Sequence, residues 1–208
     1  MKIVCYDQTE VTIDIPEHLT HIGVMVSGGF DSAILLYLIL KEIQDTNRNI
    51  NLTVFNVPNV KDNADYFSNQ VIKFLENHFN KPISDVRSIG DGTLPHNQII
   101  QKPGRYIGEN KLVGKLYVGV NQNPPIKFPI AGPWRRDPNN VIPDNLSYPF
   151  LQLYKTHILD IYNQFNMLEL ANITHSCTET LNNRCNQCFQ CYERAWAYKE
   201  LNLVDNGI

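Results

Sequence analysis

His21-Ile22-Gly23-Val24-Met25-Val26-Ser27-Gly28-Gly29-Phe30-Asp31-Ser32-Ala33-Ile34-Leu35-Leu36-Tyr37-Leu38-Ile39-Leu40 is the stretch from which the rest of the chain is placed. A β-branched apolar run, two glycines and a second apolar run predict a buried strand, a turn with unusual backbone angles, and a helix packed on a sheet. The turn then lies at a helix N-terminus. Free N–H groups there, the positive end of the helix dipole and the hydroxyls of Ser27 and Ser32 form a seat for phosphate or pyrophosphate. Asp31 makes sense beside phosphates mainly with a Mg²⁺ ion between them. The plainer alternative is a Gly-Gly turn capped by Ser and Asp with no ligand. No G-x-x-x-x-G-K-S/T string occurs, so this is not a Walker A loop.

Before this stretch, Lys2 to Cys5 and Val11 to Ile15 flank the polar Asp7-Gln8-Thr9-Glu10, a hairpin expected to extend the sheet edge. After it, the helix ends near Asp45-Thr46-Asn47, and Asn51 to Val57 reads as a second core strand stopped by Pro58. Strand, helix, strand implies a right-handed parallel crossover. Ala64, Phe67, Val71, Phe74, Leu75 and Phe79 form one helical stripe, Val86 to Ile89 a third strand, and Leu116 to Asn121 a fourth. Gly90 to Asn110 reads as a long loop. Asn123 to Ser147, rich in Pro, Asn and Asp, yields no element and is a candidate lid. Phe150 to Phe165 carries a helical face, and Cys191 to Leu201 a closing helix. The fold class expected is α/β, a parallel sheet flanked by helices in one domain over residues 1–208, with 174–201 as an appended metal-binding segment.

A length of 208 residues suits one well-buried core with a small appendage. The 43% hydrophobic and 19% charged content describes a soluble globular protein, without an apolar run able to cross a bilayer. The N-terminus lacks the basic start and long apolar middle of a signal peptide, so a cytoplasmic location is expected. A formal charge of −3 gives no global attraction to nucleic acid, and Arg135-Arg136 is the one adjacent basic pair.

Four of the five cysteines, Cys177, Cys185, Cys188 and Cys191, fall within fifteen residues. Thiolates two residues apart grip one tetrahedral ion from a tight turn; Zn²⁺ is the first choice and an iron–sulfur cluster the alternative, with free or disulfide-bonded thiols as the metal-free reading. A closed four-thiolate site holds structure rather than performing catalysis.

The S-G-G-x-D-S spelling of Ser27 to Ser32 resembles the PP-loop of the ATP pyrophosphatase superfamily. Together with Thr174-His175-Ser176-Cys177 and Cys185-Asn186-Gln187-Cys188-Phe189-Gln190-Cys191-x2-Arg194, it resembles the 7-cyano-7-deazaguanine (preQ0) synthase family. Pro149-Phe150-x4-Lys155-x2-Ile158 is similar to that family's proline-to-lysine helix start, and Gly119-Val120-Asn121 to its glycine and asparagine at a strand end. Asn56 stands where the family has an aspartate, and Pro103-Gly104-Arg105-Tyr106 where it binds the deazapurine.

The resemblance implies an ATP-dependent carbon–nitrogen ligase with ATP, Mg²⁺ and Zn²⁺ as cofactors. It would adenylate a 7-deazaguanine carboxylate, release pyrophosphate, and exchange AMP for ammonia to give an amide or, beyond it, the nitrile of queuosine biosynthesis. The implied nucleotide set is Ser27, Gly28, Gly29, Phe30, Asp31, Ser32, Asn56, Gly119 and Lys155, with Asp31 and Lys155 catalytic. Cys177, Cys185, Cys188 and Cys191 are the metal ligands. Arg105, Tyr106 and Arg135 are candidates for the acidic purine, since guanidinium pairs with carboxylate in two parallel hydrogen bonds; for the two arginines the alternative is a solvated surface position. His96 and Trp134 are further loop candidates, and His175 a structural neighbour of the metal. The sequence leaves the oligomeric state open, with a homodimer as the candidate because superfamily relatives often pair.

Three other readings stay open. One is a nucleotide-binding module without turnover. Another is a PP-loop tRNA-modifying enzyme, disfavoured because Cys5 is the only spare thiol and no basic face announces RNA. The third is a nucleic-acid zinc module.

Overall fold

Side-chain alternation along β3 (His21–Val26) divides the interior in two. Ile22, Val24 and Val26 enter the larger core, whereas Met25 enters a smaller one on the opposite face. The computed structural model describes the chain except residues 60, 91, 94–97, 99–100, 134–141 and 208. β4 (Asn51–Asn56) and β6 (Lys115–Val118) flank β3, and β5 (Asp85–Ser88) and β7 (Leu146–Ser147) lie outside them, giving a five-stranded sheet of order β5-β4-β3-β6-β7. Every pairing in it is parallel.

The larger core takes buried side chains from α1 (Phe30–Asp45), α2 (Ala64–Phe79), α4 (Lys155–Gln164), α5 (Leu168–Asn172) and α6 (Phe189–Glu200). The smaller core is closed by α3 (Gln101–Glu109) through Ile107. From β3 the chain winds to β4 and β5, then returns across the sheet to β6. The loops leaving β3 and β6 therefore part at the carboxyl ends of those strands, the crevice in which open α/β sheets bind ligands.

The parallel α/β fold is as the sequence suggested, with several local differences. β1 (Lys2–Val4) and β2 (Glu10–Thr12) form a hairpin, but a separate two-stranded sheet rather than an extension of the main edge. Its turn is held on α4 instead: Tyr6 N donates to Asp160 at 2.8 Å, and His157 Nε2 meets Asp7 Oδ2 at 2.9 Å. Within the supposed loop from Gly90 to Asn110 lies α3, which accommodates Pro103 because a first-turn residue has no intrahelical N–H bond to lose. α4 starts at Lys155 rather than Phe150: Tyr154 N donates to His157 Nδ1 at 2.9 Å and fixes the boundary. β7 and α5 have too few residues to give a periodic signal. Within the candidate lid, Phe128 packs on Phe189 and Tyr192 of α6, with ring centroids 5.4 and 5.8 Å away. No described helix is long and apolar enough to cross a membrane.

Candidate functional site

Gly28 turns the chain at φ +76°, a left-handed conformation that side chains resist, and a Cβ there would lie 2.5 Å from the Phe67 backbone carbon and the Ser68 nitrogen. Glycine is required on both counts. Gly29 is the N-cap of α1 and supplies no side-chain cap, so N–H groups of the first turn lack a side-chain acceptor from that position. The hydroxyls hold the turn together: Ser32 Oγ accepts from Ser27 N at 3.2 Å and donates to Gly29 O at 3.2 Å, while Gly29 N donates to Ser27 Oγ at 3.4 Å. Gly119, just after β6, lies so close to α1 that a Cβ would be 3.0 Å from Asp31 C and O and from Ser32 N. Strand end and helix start are thereby pressed into one wall.

Asp31 and Lys155 come from opposite ends of the chain and meet here. Lys155 Nζ donates to Asp31 Oδ1 at 2.6 Å and Oδ2 at 2.7 Å. A second carboxylate, Glu193 Oε2, lies 3.4 Å from the same ammonium, and Glu193 Oε1 accepts from Asn121 Nδ2 at 3.1 Å. Lys155 and Glu193 are buried, and the Asp31 side chain retains 15% exposure. Asn56, level with Val26 in the sheet, is also buried, and its Oδ1, like that of Asn121, has no hydrogen bond among the described residues. The phenyl ring of Phe30 lies in the core against Tyr162, and its carbonyl accepts from Tyr162 OH at 2.6 Å, so its side chain is committed to packing rather than to a ligand at the turn.

Between the strand ends, Met25, Val26, Ser27, Ser32, Val57, Val118 and Gly119 enclose a cavity of about 30 Å³. That is room for one or two waters, roughly, and not for a triphosphate. Ser27 is exposed and Gly29 half-buried on the outer side of the turn.

The four thiols converge as the spacing suggested. All four sulfurs lie within 4.8 Å of one another, with Cys185–Cys191 at 3.9 Å and Cys177–Cys188 at 4.0 Å. Thiolates at ~2.3 Å around a tetrahedral zinc stand about 3.8 Å apart, so the cluster fits a single ion. A cubane iron–sulfur cluster, with each thiolate on its own iron, needs a wider spread. Thr180 Oγ1 donates to Cys177 Sγ, and Gln187 N and Cys188 N donate to Cys185 Sγ, all bonds that favour the thiolate form. Its neighbour Cys191 holds the Cys188 thiol well below the usual thiol range.

This centre is tied to the turn by two routes. His175, two residues before Cys177, donates its backbone N–H to Gly28 O at 3.0 Å and stacks its ring on Phe67, with centroids 4.4 Å apart. α6, capped by Cys188 and carrying Cys191, brings Glu193 to Lys155 and Arg194 under Phe30, the guanidinium carbon 4.9 Å from the ring centroid. The buried Arg194 also binds Thr174, Ala171 and both oxygens of Asp205. Sequence reasoning missed Glu193 and Asp205. An isolated acidic residue on a helix or in a tail carries no pattern pointing inward.

Arg105 pairs with Glu109 on its own helix at 3.3 Å and is 79% exposed, and Tyr106 is 53% exposed. Arg135, with His96 and Trp134, lies outside the described residues.

No protein-family model matches the chain, and no curated protein does. Among solved structures, the chain is similar to the tRNA thiolase NcsA of Methanococcus maripaludis, which carries a 4Fe–4S cluster, at 14% identity, 93% of this chain, 76% of that one and a TM-score of 0.49. It is also similar to the FMN adenylyltransferase of Candida glabrata, at 15% identity over 67% of this chain and 46% of that one, with a TM-score of 0.39. A third similarity is to a predicted subunit of a tRNA methyltransferase from Methanocaldococcus jannaschii, at 12% identity, 91% and 92% coverage and a TM-score of 0.35.

Proposed function

We propose that this chain is an ATP-using enzyme of the PP-loop type that activates a 7-deazaguanine carboxylate by adenylation and lets ammonia displace AMP. The observation that carries the reading is the uncapped first turn of α1, opening at the crevice between β3 and β6 with the Asp31–Lys155 pair beside it. A carboxylate resists ammonia because its charge repels the nucleophile and oxide is a poor leaving group; a mixed anhydride with AMP removes both obstacles. The protein's part is to stabilise the departing pyrophosphate. Loop N–H groups around Gly29, the Ser27 hydroxyl and the Lys155 ammonium are the donors for that charge, each worth about 2.7–4 kcal/mol by analogy with oxyanion-hole donors. Mg²⁺, held by Asp31, would supply further charge neutralisation. Zn²⁺ suits the four thiolates best and would brace the turn through His175 and α6.

In this reading the triphosphate would lie on the outer side of Ser27 and Gly29, because the crevice between the strand ends is too narrow for it, and closure around it would draw on binding energy. That narrowness also favours a second reading, a module that holds nucleotide without turnover. Purified protein incubated with ATP, Mg²⁺, ammonium and 7-carboxy-7-deazaguanine should yield AMP and an amide or nitrile, read by nucleotide assay and product mass. Nucleotide binding without AMP would select the module, and no nucleotide binding would remove both.

A further inference from the structure

Lys155 is shared between two carboxylates of unequal exposure, and that inequality has a chemical meaning. An ammonium has three donors. Two are spent on Asp31, whose side chain still reaches solvent, and the third side of the ammonium faces Glu193, which is wholly buried. A buried carboxylate is costly unless paired and hydrogen-bonded; Glu193 has Lys155 at 3.4 Å and Asn121 Nδ2 at 3.1 Å. A divalent cation on Asp31, at the mouth of a turn whose N–H groups suit an anion, would compete with Lys155 for the same oxygens.

We infer that Glu193 is a positioning residue that retains Lys155 beside the turn when Asp31 engages Mg²⁺. The inference rests on the nucleotide reading above. α6 makes Glu193 a fixed post: Cys188 and Cys191 anchor the helix start, and Arg194, the next residue, is clamped by Asp205 and Thr174. Asp31 can then exchange partners while the ammonium stays within reach of phosphate.

Glu193→Gln removes the charge with little change of shape, and Asn121 Oδ1, which has no hydrogen bond among the described residues, can accept from the new amide once the Asn121 side chain turns over. Binding of a non-hydrolysable ATP analogue is measured by calorimetry with Mg²⁺ and with chelator. E193Q should match the wild type in chelator and bind at least about tenfold more weakly in Mg²⁺, the loss typical of one hydrogen bond to a charged group. Equal affinity in Mg²⁺, or the same loss in both media, overturns the role of Glu193 and leaves the nucleotide reading intact. Failure of the wild type to bind in either medium removes the nucleotide reading and this role with it. Should E193Q not fold, Glu193→Asp keeps the buried charge but withdraws it from Lys155; it should show a smaller loss confined to Mg²⁺, and wild-type behaviour would overturn the inference.

Discussion

Gly28 has two independent reasons to be glycine, a left-handed φ and the backbone of Phe67 and Ser68 against its α-carbon. Gly28→Ala should therefore destabilise the protein by about 1–3 kcal/mol and abolish nucleotide binding, because the turn must rotate away from α2 to admit a methyl group. Thermal melts and ligand titration of G28A check both effects. Gly29 has no such constraint, since its Cβ would meet nothing nearer than Ser27 Oγ at 3.3 Å. The two glycines look equivalent in sequence, and only packing separates them. The same holds for acidic residues: Asp31 was legible because it stands inside a motif, whereas Glu193 is one of many charged residues on helices.

Among the elements, the N-terminal hairpin shows how a local feature acquires a distant partner. Asp7 is held down to about 2: burial alone would raise its pKa, but hydrogen bonds from His157 and Thr9 outweigh it. A carboxyl whose folded pKa lies below its ordinary 3.8 stabilises the folded state above pH 3.8, and that contribution is lost as pH falls to about 2. Hydrogen exchange at Tyr6 and Ile13 should accelerate over that window, and Asp7→Asn should remove the pH dependence. α6 is the second such element. Stripping the metal with a strong chelator, or Cys188→Ala, should release one ion per chain and lower Tm by about 5–10 °C, roughly 2–3 kcal/mol. Amide exchange at His175, whose N–H binds Gly28, should rise at the same time. Metal analysis, melting and exchange mass spectrometry read these outcomes; unchanged exchange at His175 would uncouple the thiolate centre from the turn.

For the molecule as a whole, the net charge of −3 offers ATP no long-range attraction, so the nucleotide binding proposed above would draw its affinity from contacts at the turn. Mg²⁺ and an ATP analogue at about 100 times Kd should stabilise the native state by ~2.7 kcal/mol and raise Tm by about 5–10 °C. Differential scanning fluorimetry tests this, and the G28A protein serves as its control.

Strand, turn and helix around Ser27–Ser32 and the four-thiol spacing were set by the sequence because each depends on near neighbours, and the parallel crossover because a strand–helix–strand order has one favoured hand. Tertiary structure alone decided that Lys155 pairs directly with Asp31 across 124 positions, that the hairpin rests on α4 instead of the sheet edge, and that α6 carries a buried carboxylate to the Ser27–Ser32 turn. Periodicity states which face of an element is buried. Which charge waits on the other side is fixed only when the sheet order brings remote segments together.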